Sequence, residues 1–123
     1  ASYAAAKMAV IGLTNVLASE GKKDGIIVNA ISPVAQTRMW GIDGEPTELH
    51  PSEVAPGVAY LASAECTDGG WILRAANGQF HATKMMEAAN VDYPRNLRAV
   101  KASTAQEVAE NWQSIAIPDV EPR

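Results

Sequence analysis

The stretch SYAAAK, residues 2–7, sets a tyrosine and a lysine four positions apart with three alanines between them. On a helix, side chains at i and i+4 share a face, so the phenol of Tyr3 and the ammonium of Lys7 are predicted to stand together. A free tyrosine ionises at about pH 10, too high to exchange protons at neutral pH. A neighbouring cation stabilises the phenolate and draws that value down. A phenol tuned in this way gives or takes a proton at an alcohol or ketone oxygen. The alanines are small enough for a substrate and a cofactor to approach. The same pair occurs in many helices with a purely structural role, so the surrounding elements must decide its meaning.

Residues 2–20 favour helix throughout, being rich in alanine, leucine, methionine, lysine and glutamate and free of proline. Ser2 is a candidate cap at the start. Gly21 is predicted to be the left-handed residue after the last turn, and Lys22 and Lys23 suit the negative helix end. Met8, Val10, Ile11, Leu13, Val16 and Leu17 make the middle apolar almost all round. Such a helix is predicted to pack on a sheet with one face and on a second subunit with the other. Residues 25–33, GIIVNAISP, then read as a short strand buried on both faces, ended by Pro33. Helix, short loop and buried strand make half of an α/β unit. Ligands of open α/β sheets bind at the carboxyl ends of strands. The loop SPVAQTRM, residues 32–39, is therefore placed within reach of Tyr3 and Lys7.

Tyr3, Lys7, Asn29, Pro33 and Thr37, in the frame YAAAK, apolar helix, IIVNAISPVAQTRM, resemble the short-chain dehydrogenase/reductase family. The segment SEVAPGVAYLAS resembles the next helix of that family. Over about residues 1–115 the chain looks most like the hydroxyacyl-CoA dehydrogenase module of multifunctional β-oxidation enzymes. The resemblance implies an α/β fold, the C-terminal half of a Rossmann-like doubly wound parallel sheet with a C-terminal hairpin and helix. It implies Tyr3 as general acid/base, with Lys7 holding the nicotinamide ribose and acidifying Tyr3. Pro33, the backbone around Val34 and the Thr37 side chain would hold the nicotinamide end of NAD or NADP. The family often has Pro-Gly where this chain has Pro33-Val34, a departure that bears on the shape of the nicotinamide loop. Asn29 is expected to tie two loops together. Met39, Trp40 and Ile42 are the candidates for touching an acyl chain in a substrate lid; a solvent loop with one anchoring tryptophan is the alternative. Arg38 is read as an exposed loop residue, with a phosphate or coenzyme A as its alternative contact.

No glycine-rich turn, catalytic serine or central-helix asparagine of that family occurs here; Ser2 beside Tyr3 is not that serine, and Gly69-Gly70 lacks the spacing of a pyrophosphate cradle. The chain is expected to be one partial domain, residues 1–123, wanting the nucleotide-binding half. Its expected function is part of an NAD(P)-dependent oxidoreductase acting on a carbonyl or secondary alcohol, with a 3-hydroxyacyl thioester as substrate. It is expected to be inactive unless complemented, and to form a homo-oligomer through helix 2–20. The competing reading is a non-catalytic assembly module built on that helix.

Composition narrows the remaining choices. Apolar residues at 47% and charged residues at 20% are a globular balance, and a chain this long is expected to bury a core. The net charge of −4 and the lack of a basic run argue against nucleic acid. No apolar stretch is long enough to span a membrane. Cys66, the one cysteine, fits a reducing compartment, and the resemblance implies the cytoplasm or, in a eukaryote, the peroxisome. No metal-ligand spacing is present, and His81 lacks acidic or cysteine partners in sequence. A helix is predicted near residues 52–64 with Pro56 in its first turn, and His50 before it as a capping or surface residue. Asn77-Gly78 predicts a two-residue hairpin between strands at 71–73 and 79–84. Ser103 or Thr104 with Gln106 or Glu107 predicts a capped helix through Ile115, packed through Val108, Trp112 and Ile115. The terminal PDVEPR is expected to fray.

Overall fold

A computed structural model describes residues 1–85, 91–97 and 101–116. The chain divides into two compact units, Ala1–Lys84 and Met85–Arg123. The first opens with helix α1, Ser2–Gly21, followed by a 3-10 turn, Lys22–Asp24. Gly21 itself keeps right-handed backbone, and the left-handed position predicted there falls at Gly25, with φ 70°. Gly25 N donates to Lys22 O and Ile26 N to Gly21 O, the paired bonds of a Schellman ending. Gly21 is needed for space instead: a Cβ there would lie 2.9 Å from the Cβ of Ile26.

Among the described residues the sheet has three strands, in the order β1-β2-β3. Strand β1, Ala30–Val34, runs parallel to β2, Ile72–Ala76, with Ala30 opposite Ile72 and Val34 opposite Ala76. Strand β3, Gln79–Thr83, returns antiparallel to β2. The turn between them is as the Asn-Gly pair predicts: Asn77 and Gly78 both take positive φ, 53° and 68°, the twist that suits a two-residue hairpin. β1 is shorter than the predicted strand and contains Pro33 instead of ending at it. The reason lies in the direction of its N–H groups. Ala30 N donates to Trp71 O, so alternate residues face β2, while Ile31 and Pro33 face the other edge. There the missing N–H of Pro33 leaves nothing unpaired.

Helix α2, Ala55–Leu61, begins after a 3-10 turn, Pro51–Glu53, and is shorter than predicted, with Pro56 in its first turn as expected. His50 N donates to Glu53 Oε2 at 3.1 Å, which ties the turn to the residue before it. Gly57 lets α2 lie close on the sheet: a Cβ there would fall 2.6 Å from Phe80 Cε1 and 3.0 Å from Leu73 Cδ2. Gly57→Ala is expected to lower the urea midpoint. Overpacking costs about 1–3 kcal/mol, against about 1 kcal/mol gained in helix preference. A midpoint equal to or above the parent's would show that Phe80 yields freely.

The burial expected from the apolar pattern is largely unmet. Val54, Cys66 and Ala75 are the buried apolar residues among those described. On α1, Met8, Val10, Leu13, Val16 and Leu17 are all exposed, as are Ile26 and Ile27 before β1. α1 meets β1 along one side, and a three-stranded sheet offers little surface for the rest to lie against.

In the second unit, α3, Ala105–Glu110, and α4, Trp112–Ala116, replace the single predicted helix. The predicted cap is present: Thr104 Oγ1 accepts from Glu107 N, and Glu107 Oε2 accepts from Thr104 N, both at 3.2 Å. The break falls at Asn111, whose side chain donates to Glu107 O at 2.8 Å. Val108 and Trp112 are exposed and do not form the packed face expected of them. The terminal PDVEPR lies outside the described residues. No helix among the described residues is long and apolar enough to cross a membrane.

Candidate active site

α1 brings Tyr3 and Lys7 to one face near its amino end, with Lys7 Nζ 5.4 Å from the centre of the Tyr3 ring. Because α1 leads through a tight turn into β1, this end of the helix lies beside the carboxyl end of the strand. Between them is an open cleft of about 750 Å³. Of the residues singled out from the sequence, Tyr3, Lys7, Pro33, Val34, Thr37, Met39 and Trp40 all line it. Ile42 does not: it lines an adjacent hollow of about 590 Å³ with Arg38 and Asp43. Residues between Trp40 and Ile42 turn through Gly41 in left-handed backbone, φ 71°, which carries the chain away from the cleft.

Thr37 precedes the 3-10 turn Arg38–Trp40, and its Oγ1 accepts from Met39 N at 3.3 Å. The oxygen is thus engaged by the turn, and the hydroxyl proton is left free to donate. Met39 is 86% and Trp40 54% exposed, so both stand over the cleft without a packing partner. Ser32, the first residue of the segment placed there from the sequence, also lines it, as do Val10, Ile11 and Ile72, which sequence reasoning overlooked. The available signal was position: Val10 and Ile11 follow Lys7 by about one helical turn.

The base of β1 is held by Asn29. Its Oδ1 accepts from Trp71 N at 3.0 Å and its Nδ2 donates to Asp68 O at 2.9 Å. Val28 O accepts from Gly70 N at 2.8 Å beside it. Asn29 therefore joins the segment before β1 to the one before β2, the tying role expected of it. Trp71 Nε1 donates to Asp68 Oδ2 at 2.8 Å, and Lys84 Nζ lies 4.8 Å above the Trp71 ring. The bond from Trp71 holds the Asp68 carboxyl below its ordinary value of 3.8, with help from Gly69 N, Lys84 and Lys22 against a smaller desolvation effect. A depressed folded value means that the contribution is present above the unfolded value and lost as pH falls through the folded one. Asp68→Asn is thus expected to flatten part of the acid limb, below about pH 4, when thermal midpoint is followed against pH. The effect is small because the carboxyl is exposed; an unaltered acid limb would rule the contribution out.

An α/β unit with a tyrosine–lysine pair at the carboxyl end of a parallel strand relates the chain to the short-chain dehydrogenases, and residues 1–44 match the short chain dehydrogenase family. The chain is 39% identical over 111 residues to the putative short-chain type dehydrogenase/reductase Rv0148 of Mycobacterium tuberculosis, covering 85% of this chain and 38% of that protein. It is 30% identical over 118 residues to peroxisomal multifunctional enzyme A of Dictyostelium discoideum, covering 94% of this chain and 25% of that one. Its structure is similar to full-length peroxisomal multifunctional enzyme type 2 from Drosophila melanogaster, with a TM-score of 0.68 and 28% identity over 95% of this chain and 21% of that one. The chain thus spans less than two-fifths of the length of each of these relatives.

Proposed function

We propose that this chain carries the proton-transfer half of an NAD(P)-dependent oxidoreductase site acting on a carbonyl or secondary alcohol, with a 3-hydroxyacyl thioester as the favoured substrate. The observation that carries the reading is the cleft itself: Tyr3, Lys7 and Thr37 converge on it, and Met39 and Trp40 offer apolar surface above it. The donor set fits the nicotinamide end of a dinucleotide. Lys7 has no carboxylate partner among the described residues and suits ribose hydroxyls, while the Thr37 hydroxyl suits an amide or phosphate oxygen. Nothing in the chain has the glycine spacing that cradles a pyrophosphate. A bound nicotinamide supplies or accepts the hydride. Tyr3 exchanges the proton at the substrate oxygen, and Lys7 holds both the phenol and the ribose in place. Met39 and Trp40 exclude water from the reacting carbon when an acyl chain lies against them.

The site is completed by a nucleotide-binding segment, joined covalently or supplied by another chain. The edge of β1 that pairs with no strand among the described residues, and the exposed apolar side of α1, are where further strands, helices or a second copy would lie. Titrating this chain alone with NADH and NADPH, followed by cofactor fluorescence, is expected to show negligible binding. Addition of the segment preceding residue 1 in a relative is expected to restore it. Tight binding by the chain alone would overturn the division of labour proposed. The exposed α1 also favours assembly as a function in its own right, and the Tyr3 substitution discussed below separates the two, because assembly does not need the phenol oxygen.

A further inference from the structure

We propose that Arg74 and His81, with Ser32 beside them, form a binding site for a phosphate-class anion on the sheet face opposite α2. Side chains alternate along a strand. Leu73 and Phe80 meet Gly57 of α2, so Arg74 and His81 project from the other face. The two are directly opposite in the β2–β3 register, and Arg74 is opposite Ser32 in the β1–β2 register. The three side chains thus form a polar row across all three strands. All are exposed, and Ser32, Arg74, Asn77, Gln79 and His81 line a hollow of about 320 Å³. Among the described residues no carboxylate pairs with Arg74, although the chain has 14 acidic residues to 10 basic ones.

Two basic side chains directly opposed on a sheet repel when both are charged. An anion seated between them turns that repulsion into attraction. The planar guanidinium presents parallel N–H donors that match two oxygens of a phosphate, and Ser32, Asn77 and Gln79 add neutral donors at the rim. The hollow shares Ser32 and Val34 with the Tyr3 cleft. A phosphate held here would therefore belong to a ligand whose other end reaches that cleft. The assignment stands without the oxidoreductase reading, since it needs only the sheet.

The test is a titration of the ¹⁵N-labelled chain with inorganic pyrophosphate at low salt, following the Arg74 side-chain N–H and the backbone amides of residues 32 and 74–81. Saturable shifts confined to these groups are expected. Arg74→Gln is expected to weaken binding by about tenfold or more, and Arg74→Lys to recover only part of the loss. His81→Gln is expected to weaken it less while leaving the hairpin amides in place. Absence of saturable shifts, or equal affinity in the folded Arg74→Gln and His81→Gln variants, would overturn the proposal. Competition by coenzyme A assigns the phosphate to a thioester substrate, and competition by NADP⁺ assigns it to a cofactor.

Discussion

Tyr3→Phe, introduced into the chain once complemented by a nucleotide-binding segment, is expected to lower turnover by about 10²- to 10⁴-fold, the usual contribution of a positioned proton donor. The substitution removes one oxygen and keeps the ring. The ring is what lies 5.4 Å from Lys7 Nζ, and it is 68% exposed, so neither packing nor the helix should suffer. Cofactor affinity is expected to stay within about threefold, because Lys7 and Thr37 are untouched, so the loss falls on kcat more than on KM. Steady-state kinetics with a short 3-hydroxyacyl or 3-ketoacyl thioester, beside a sedimentation run, separate the readings. Unchanged turnover would remove Tyr3 from the chemistry. Lost turnover with unchanged association would rule out assembly as the sole role of α1.

Asn29→Leu is expected to cost about 2 kcal/mol in urea unfolding. Leucine keeps the branched shape of asparagine, is somewhat larger and leaves no cavity, so the loss reports chiefly the hydrogen bonds. Trp71 N and Asp68 O both lose their partner, and an unmet polar group costs about 1–3 kcal/mol when buried. Both groups are only partly sheltered, which brings the sum toward the lower end. Asn29→Asp keeps an acceptor for Trp71 N and loses the donor to Asp68 O, so about half the loss is expected. Hydrogen exchange at the Gly70 and Trp71 amides should quicken in Asn29→Leu before it does in the β2–β3 hairpin. The consequence for function is positional: the clamp sets where β1 starts against β2, and thereby where Val34 and Thr37 arrive at the cleft. An unchanged midpoint with unchanged Trp71 exchange would mean that the ladder alone holds the register.

What could be read from the residues in order was what depends on near neighbours. The i, i+4 placement of Tyr3 and Lys7 follows from helix geometry alone, and so the pair shares a face. Asn77-Gly78 adopts positive φ at both positions because few other residue pairs do so without strain. Thr104 and Glu107 cap α3 through bonds that span three residues. Type and context assign Asn29 a tying role, but its partners, 39 and 42 residues away, are named only by the fold. Tertiary structure also decided that β1 is short and edge-placed, that Ile42 leaves the cleft that Met39 and Trp40 line, and that Arg74 faces His81. The burial predicted from the apolar run of α1 failed for a related reason. Hydrophobic pattern reports that a surface is to be covered, whereas what covers it depends on elements that a helix does not encode. Sequence alone determined the Asn77-Gly78 turn, the Thr104–Glu107 cap and the tyrosine–lysine pair, because their energies are local; the ends of α1 were not so fixed, since Ala1 and not Ser2 stands at its N-cap and Gly25 and not Gly21 takes left-handed backbone. The register, the clamp and the membership of the cleft were settled by contacts between segments tens of residues apart, which no local preference specifies.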